Sequence, residues 1–419
     1  MATLRTRWLA ASAVCALGGT TGIVNGGEDS SITLTTVIER TLAANPELDV
    51  LRFQREARQG QLQQTQARMR PEINAAVENF LGSGERSGIS ASETTLSLGL
   101  ILERGARARR IAVAEAGTEQ AEVETRIRRL DLAAEAARRF VTVLQGQSIL
   151  TSTREGTRLF EETAKAVAQQ VAAARAPDAE QARAEAQLAL SRLTEEQAEH
   201  ELASAKIRLT VMWGAMAPDF ATAAGDLDPP PKLVTYEEAR NGLERNGDLV
   251  RLLSEKRLRE AEVHLAAMKS RPPWRISAGV RHFENDGDDA LVLGLSIPLA
   301  SRELAEGASR EARARVAEVD ARSRALRLAL EAEFYALYQD LNHKYTELET
   351  LDKEVLPRIG QAAQQTRYAY DRGRYGYVEL VAAQRELLEA RLSRLATLAQ
   401  LHQHRIEIER LIGSPLGGH

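Results

Sequence analysis

The chain has a single cysteine, Cys15, and aromatic residues make up only 4% of it. One cysteine excludes a disulfide framework. So few aromatics, in a chain rich in Ala, Glu, Leu and Arg, predict long helices packed by aliphatic ridges. Long apolar runs are also missing. Past the N-terminus none approaches the roughly 20 residues that a membrane-crossing helix needs. With a mean hydropathy of -0.32, this excludes a multi-span helical membrane protein. Nor is charge of one sign in excess. A formal net charge of -4 over 419 residues, with no basic block interleaved with aromatics, excludes a general nucleic-acid binder. No nucleophile elbow, phosphate loop or HExxH motif occurs, and His200-Glu201 lacks a second histidine. Neither enzyme chemistry nor a cofactor is therefore expected.

Residues 1–27 read as an export signal: Arg5 and Arg7, an apolar stretch from Trp8 to Leu17, then small residues from Gly18 to Gly27. Cys15 follows part of that stretch, but Ser12, Ala13 and Val14 make a poor approach sequence for lipidation. Cleavage beyond it would leave a mature chain with no thiol.

The remainder repeats itself after about 200 residues. Leu42, Asn45, Glu47 and Leu48 match Leu243, Asn246, Asp248 and Leu249, and each copy then reaches an Arg-Pro pair, Arg70-Pro71 and Arg271-Pro272. Met212-Trp213-Gly214 ends the first copy as Leu411-Ile412-Gly413 ends the second. The expected organisation is a first repeat over 28–227, a Pro-rich joint over 228–232, a second repeat over 233–413 and a tail over 414–419. Within each repeat the order is short helix, medium helix, strand, loop, strand, very long helix, turn, long helix. The long helices are expected at about 104–174, 178–213, 301–370 and 377–412. In the third of these, Leu330, Phe334, Leu337, Leu341, Tyr345, Leu348, Leu351 and Val355 step by threes and fours, as in a coiled-coil seam. A rod of that kind is on the order of 100 Å long, so the molecule should be elongated.

Strands are expected at about 71–82, 92–103, 273–284 and 289–300. Leu96, Leu98, Leu100 and Leu102 alternate with Thr95, Ser97, Gly99 and Ile101. In the second copy Trp274, Ile276, Ala278 and Val280 alternate with Arg275, Ser277, Gly279 and Arg281, and Leu291, Leu293, Leu295 and Ile297 with Val292, Gly294, Ser296 and Pro298. Segments of about ten residues, apolar on one face and polar or small on the other, suit a barrel in an outer membrane. Four strands cannot close one, since the smallest bacterial barrels have about eight. Dimers would supply eight strands and trimers twelve, and only the larger count leaves a solute-wide lumen. The alternative is a small soluble sheet capping a helical bundle.

These parts together resemble the TolC-type outer membrane factors, and among them the CzcC-like channels of heavy-metal efflux. The likeness rests on Asn45-Pro46-Glu47-Leu48 with Arg70-Pro71, on Glu78-Asn79-Phe80 and Glu93-Thr94-Thr95-Leu96, on Gly294-Leu295-Ser296-Ile297-Pro298-Leu299, and on the stretch from Gly373 to Leu388. It runs from about residue 32 to 413. The resemblance implies a mainly α fold with a β-barrel portion: a homotrimer whose long coiled-coil helices form an α-barrel, each protomer adding four strands to a 12-stranded transmembrane β-barrel. It also implies a passive conduit in the outer membrane, working with a periplasmic adaptor and an inner-membrane pump of the resistance-nodulation-division class. Cobalt, zinc or cadmium ions are then the expected cargo. Drugs or secreted polypeptide remain an alternative, as does an exported coiled-coil scaffold without a pore.

The turns between the long helices would form the periplasmic mouth, with Arg367, Tyr370, Asp371, Arg372, Gly373, Arg374, Tyr375 and Gly376 in one copy and Arg175, Ala176, Pro177 and Asp178 in the other. They are expected to gate the pore or dock the adaptor. Arg175-Ala176 departs from the glycine that relatives often have there, so the two turns need not contact an adaptor equally. Leu96, Leu98, Leu100, Trp274, Ile276, Leu291, Leu293, Leu295 and Ile297 are expected to face lipid. No metal site is expected: His200, His264, His282 and His343 stand alone, and His402 and His404 point to different faces of one helix. Asp286, Asp288 and Asp289 could attract cations, but as a loop cluster they are expected to be solvated.

Overall fold

The computed structural model describes residues 30–414 except 87, 233, 234, 300 and 301. The expected signal segment, Cys15 included, and residues 415–419 lie outside the described residues. In the first repeat α1 (Leu34–Ala44), α2 (Pro46–Gln66), β2 (Glu72–Glu78), β3 (Glu93–Leu102), α3 (Ala106–Ala172) and α4 (Asp178–Thr210) follow in order. A two-residue parallel pair, β1 (Ser31–Ile32) with β4 (Thr222–Ala223), ties the start of the described chain to the segment after α4. The second repeat contains α5 (Tyr236–Gly242), α6 (Gly247–Ala266), β5 (Trp274–Phe283), β6 (Asp289–Ser296), α7 (Arg302–Thr350), α8 (Leu356–Asp371) and α9 (Tyr377–Leu411).

An asparagine closes each repeat on itself. Asn45 stops α1 and caps α2, its side-chain oxygen accepting from Glu47 N at 2.9 Å. Its amide nitrogen donates to Met212 O at 2.8 Å, where α4 ends. Asn246 caps α6 through Asp248 N at 2.9 Å and donates to Leu411 O at 3.0 Å, at the end of α9. One side chain thus supplies an acceptor to a helix start and a donor to a helix end, the two kinds of backbone group that helices leave unpaired.

At 67 residues, α3 is about 100 Å long. Its partner in the second repeat is not one regular helix: α7 runs into α8 through a five-residue π turn, Leu351–Val355. Pro357, in the first turn of α8, has no N–H for the carbonyl four residues back, and the wider turn accommodates that loss. Two separate hydrophobic clusters hold the helices. The larger includes Phe140, Leu144, Leu209, Phe334, Leu341, Leu398, Leu401 and Leu411. The smaller lies near the helical turns and joins Phe160, Val167, Ala184, Tyr370, Tyr377, Leu380 and Val381. Between them Thr157 meets Ser191 at 3.0 Å, and within the smaller cluster Gln384 donates to Thr163 at 3.1 Å and Arg385 to Gln187.

All four long strands join one antiparallel sheet in the order β2-β3-β5-β6. The two hairpins therefore meet at β3 and β5, joining the repeats edge to edge, while β2 and β6 form the outer edges. Two strands stop sooner than expected. Asn79 and Leu81, both in left-handed backbone (φ 56° and 57°), end β2 at Glu78. The missing N–H of Pro298 helps to end β6 at Ser296, so Ile297 lies beyond the strand.

Candidate functional site: the sheet faces and the helical turns

The register assigns every strand side chain to one of two faces. Leu96 lies opposite Val280, and Val280 opposite Leu291; Leu98, Ala278 and Leu293 form the next row, and Leu100, Ile276 and Leu295 the one after. Leu102 pairs with Trp274. All the expected lipid-facing strand residues except Ile297 therefore share one face. All of them but the half-buried Trp274 are exposed, Leu291 by 86% and Leu293 by 83%. An apolar band this naked in water would cost far more than the scattered exposed leucines of an ordinary surface. At its end near the helices, the Arg104 guanidinium lies 4.7 Å from the Trp274 ring centroid, an aromatic and cationic couple of the kind that marks a membrane boundary.

The opposite face is small and polar, and it is crowded. A Cβ added at Gly279 would lie 2.3 Å from Leu96 O, and one at Gly294 would lie 2.4 Å from Ser277 Oγ. Glycine is needed where backbones approach this closely. Such crowding is what the concave side of a curved sheet produces, because side chains converge there. This face carries Glu72, Asn74 and Glu78 on β2, Glu93, Thr95 and Ser97 on β3, and Arg275, Ser277 and Arg281 on β5. Arg281 donates to Glu93 at 2.8 Å, to Glu78 at 2.8 Å and to Thr95 Oγ1 at 2.9 Å. Asn79 donates to Glu93 at 2.7 Å and accepts from Arg86 at 3.1 Å. Sequence reasoning placed Arg281 on the polar face but missed this network. Its signal was the pair of glutamates that flank the first hairpin.

The two helical turns share a backbone plan with different residues. After α3 the left-handed position is Ala174 (φ 56°), with Arg175 N donating to Gln170 O at 2.8 Å; after α8 it is Gly373 (φ 68°), with Arg374 N donating to Ala369 O at 2.9 Å. Pro177 precedes α4 and Asp178 stands in its first turn, where a carboxylate is favoured by the helix dipole. Glu379 in α9 accepts from Gly376 N at 3.1 Å. The expected mouth residues separate into two groups. Tyr370 is 5% exposed and packs in the smaller cluster, donating to Gln170 Oε1 at 3.3 Å; burial, with Glu180 and Asp371 nearby, raises its phenol above the usual range. At the surface Arg367 approaches Asp371 at 3.8 Å, the Arg372 guanidinium stacks on Tyr368 at 3.9 Å, and Tyr375 is exposed.

Away from both ends, Arg394 on α9 donates to Asp352 in the π turn at 2.5 Å and to Asp228 in the inter-repeat joint at 2.6 Å. These carboxylates raise its pKa further. His404 pairs with Asp340 at 2.8 Å and His282 with Asp289 at 3.0 Å. Among the described residues no group of three or more His, Cys, Asp or Glu side chains is placed to hold a metal ion, and no helix is long and apolar enough to cross a membrane.

The same arrangement, a sheet with one apolar face set on long paired helices, is matched by outer membrane channels of solved structure. Residues 37–215, most of the first repeat, match the model of the outer membrane efflux protein family. The chain as a whole is similar to the cobalt-zinc-cadmium resistance protein CzcC of Cupriavidus metallidurans, with 25% identity over 382 residues, 91% of this chain and 90% of that one. Among solved structures, a membrane protein from Pseudomonas aeruginosa has the same fold at 18% identity and a TM-score of 0.77, with 91% of this chain and 90% of that one covered. The outer membrane protein VceC of Vibrio cholerae matches at 16% identity and a TM-score of 0.74, covering 92% of this chain and 97% of its own.

Proposed function

We propose that the protein is the outer membrane channel of a tripartite efflux system and conducts heavy-metal cations passively to the exterior. The observation that carries this reading is the sheet: four strands with a bare apolar convex face, a small polar concave face and two unpaired edges. Strand edges do not stay open in lipid. Pairing β6 of one copy with β2 of the next satisfies both edges, and three copies close a twelve-stranded barrel with a lumen. The surface area supports assembly. The chain exposes 27096 Å², against roughly 16,000 Å² for a compact monomer of its mass. Val50, Phe53, Leu190, Leu193 and Leu253 stand exposed on the helices, available to neighbouring copies.

In this reading α3, α4, α7, α8 and α9 continue the pore as a periplasmic tunnel. The two turns, with Arg175, Pro177 and Asp178 in one and Arg367, Asp371, Arg372, Gly373, Tyr375 and Gly376 in the other, form the mouth that meets a periplasmic adaptor and its inner-membrane pump. Tyr370 supports the second turn from inside. The likeness to a cobalt-zinc-cadmium resistance protein favours metal cations over drugs or polypeptide as cargo. Purified protein in a planar bilayer should give discrete conductance steps and run as a trimer on unheated gels. A silent, monomeric product would leave the non-pore scaffold as the better reading. Deleting the gene should lower zinc, cobalt or cadmium tolerance and leave dye and antibiotic tolerance unchanged; the reverse pattern would move the cargo to drugs.

A further inference from the structure

Glu78 and Glu93 are direct cross-strand partners on the concave face. Like charges directly opposite one another destabilise a strand pair, so this position needs a cation. Two carboxylates side by side are also hard-oxygen ligands of the kind that divalent cations take. Arg281 fills the position. Its Nη1 and Nη2 each lie 2.8 Å from one glutamate and its Nε lies 2.9 Å from Thr95 Oγ1. Glu93 is further held by Asn79. The guanidinium therefore stands where a metal ion would otherwise bridge the two carboxylates, and it is permanently charged.

We infer that Arg281 is a built-in counter-ion that keeps the exit end of the pore from retaining the divalent cations that pass through it. Conduction requires a wall that attracts ions yet releases them. Glutamates without a partner would provide the attraction, and Arg281 tethered across three strands prevents the retention. The same arm joins β5 of the second repeat to β2 and β3 of the first, so the device exists only where the repeats meet. This inference rests on the channel reading.

The test is zinc titration of single-channel current in planar bilayers, with wild-type, Arg281→Gln and Arg281→Gln/Glu78→Gln proteins. Arg281→Gln should be half-blocked at a zinc concentration roughly tenfold or more below that for wild type, because it exposes a two-carboxylate site. The double variant, with one carboxylate left, should return to the wild-type response. Arg281→Lys keeps the charge but loses the two-ended reach, so it should show intermediate block. It serves as the test if Arg281→Gln does not assemble. Normal steps with unchanged zinc sensitivity in Arg281→Gln, or in Arg281→Lys where that stands in, would overturn the inference and leave the channel reading intact. A silent wild type would instead overturn the channel reading.

Discussion

Replacing Asn246 should show how much of each repeat's stability depends on one side chain. Asn246 is 2% exposed and does two things at once, accepting from Asp248 N and donating to Leu411 O. Asn246→Ala removes the cap, about 1 kcal/mol, and leaves a buried helix-end carbonyl unpaired, about 1–3 kcal/mol. The expected loss is therefore about 2–4 kcal/mol. Asn246→Ser separates the two parts. Serine caps a helix about as well as asparagine but is too short to reach Leu411 O, so it should be less destabilising than alanine by about 1 kcal/mol. Asn45→Ala, in the same geometry at Met212, should behave alike. The assay is denaturant unfolding of the detergent-solubilised protein followed by helical circular dichroism, with the three variants compared at constant protein concentration. Equal stability of Asn246→Ala and wild type within about 0.5 kcal/mol, the usual effect of an indifferent surface change, would refute the cross-linking role.

Other perturbations test separate parts of the fold. Ala174 occupies left-handed backbone, so Ala174→Gly should be neutral to stabilising by up to about 1 kcal/mol, measurable as a higher unfolding midpoint; a clear loss would contradict the turn geometry. Gly279→Val should prevent assembly, because its Cβ would meet Leu96 O, and monomers on unheated gels are the expected outcome. Asp371→Ala removes the partner of Arg367 and should raise the conductance of the isolated trimer; unchanged conductance would make the pair merely solvated. His402 lies on α9 with Nε2 hydrogen-bonded to Leu227 O at 2.9 Å, and burial holds its pKa below the usual histidine range. The unfolded chain therefore binds the proton more readily. Stability from this group is present above about pH 6.5 and is lost as pH falls below it. His402→Gln should flatten that dependence between about pH 7.5 and 5.

The helices were legible because their chemistry repeats locally. Leu330, Phe334 and Leu341 fall at coiled-coil spacing and become core. The strands were legible for the same reason at period two, and the Leu96 and Leu291 rows come out on one face. What escaped was whatever depended on register or on a single backbone break. Leu348, Leu351 and Val355 carry the ridge pattern straight through the π turn, and only Pro357 hints that the helix must widen. The stop of β2 at Glu78 depends on left-handed Asn79, a residue that alternation treats as one more strand position. The Arg281 network required knowing that β3 pairs with β5, a contact across some 190 residues, and no local pattern encodes it.

The self-closing repeats bear on symmetry. Each asparagine ties its own repeat's start to its own repeat's end, so in the proposed trimer three chains would place six near-equivalent repeats around one axis. The turns depart from that equivalence: one has Ala174 and Pro177, the other Gly373 and Gly376. A ring of six identical partner hairpins would therefore meet two kinds of seat in alternation. It would have to bind them with unequal strength or bring its own subunits together in pairs.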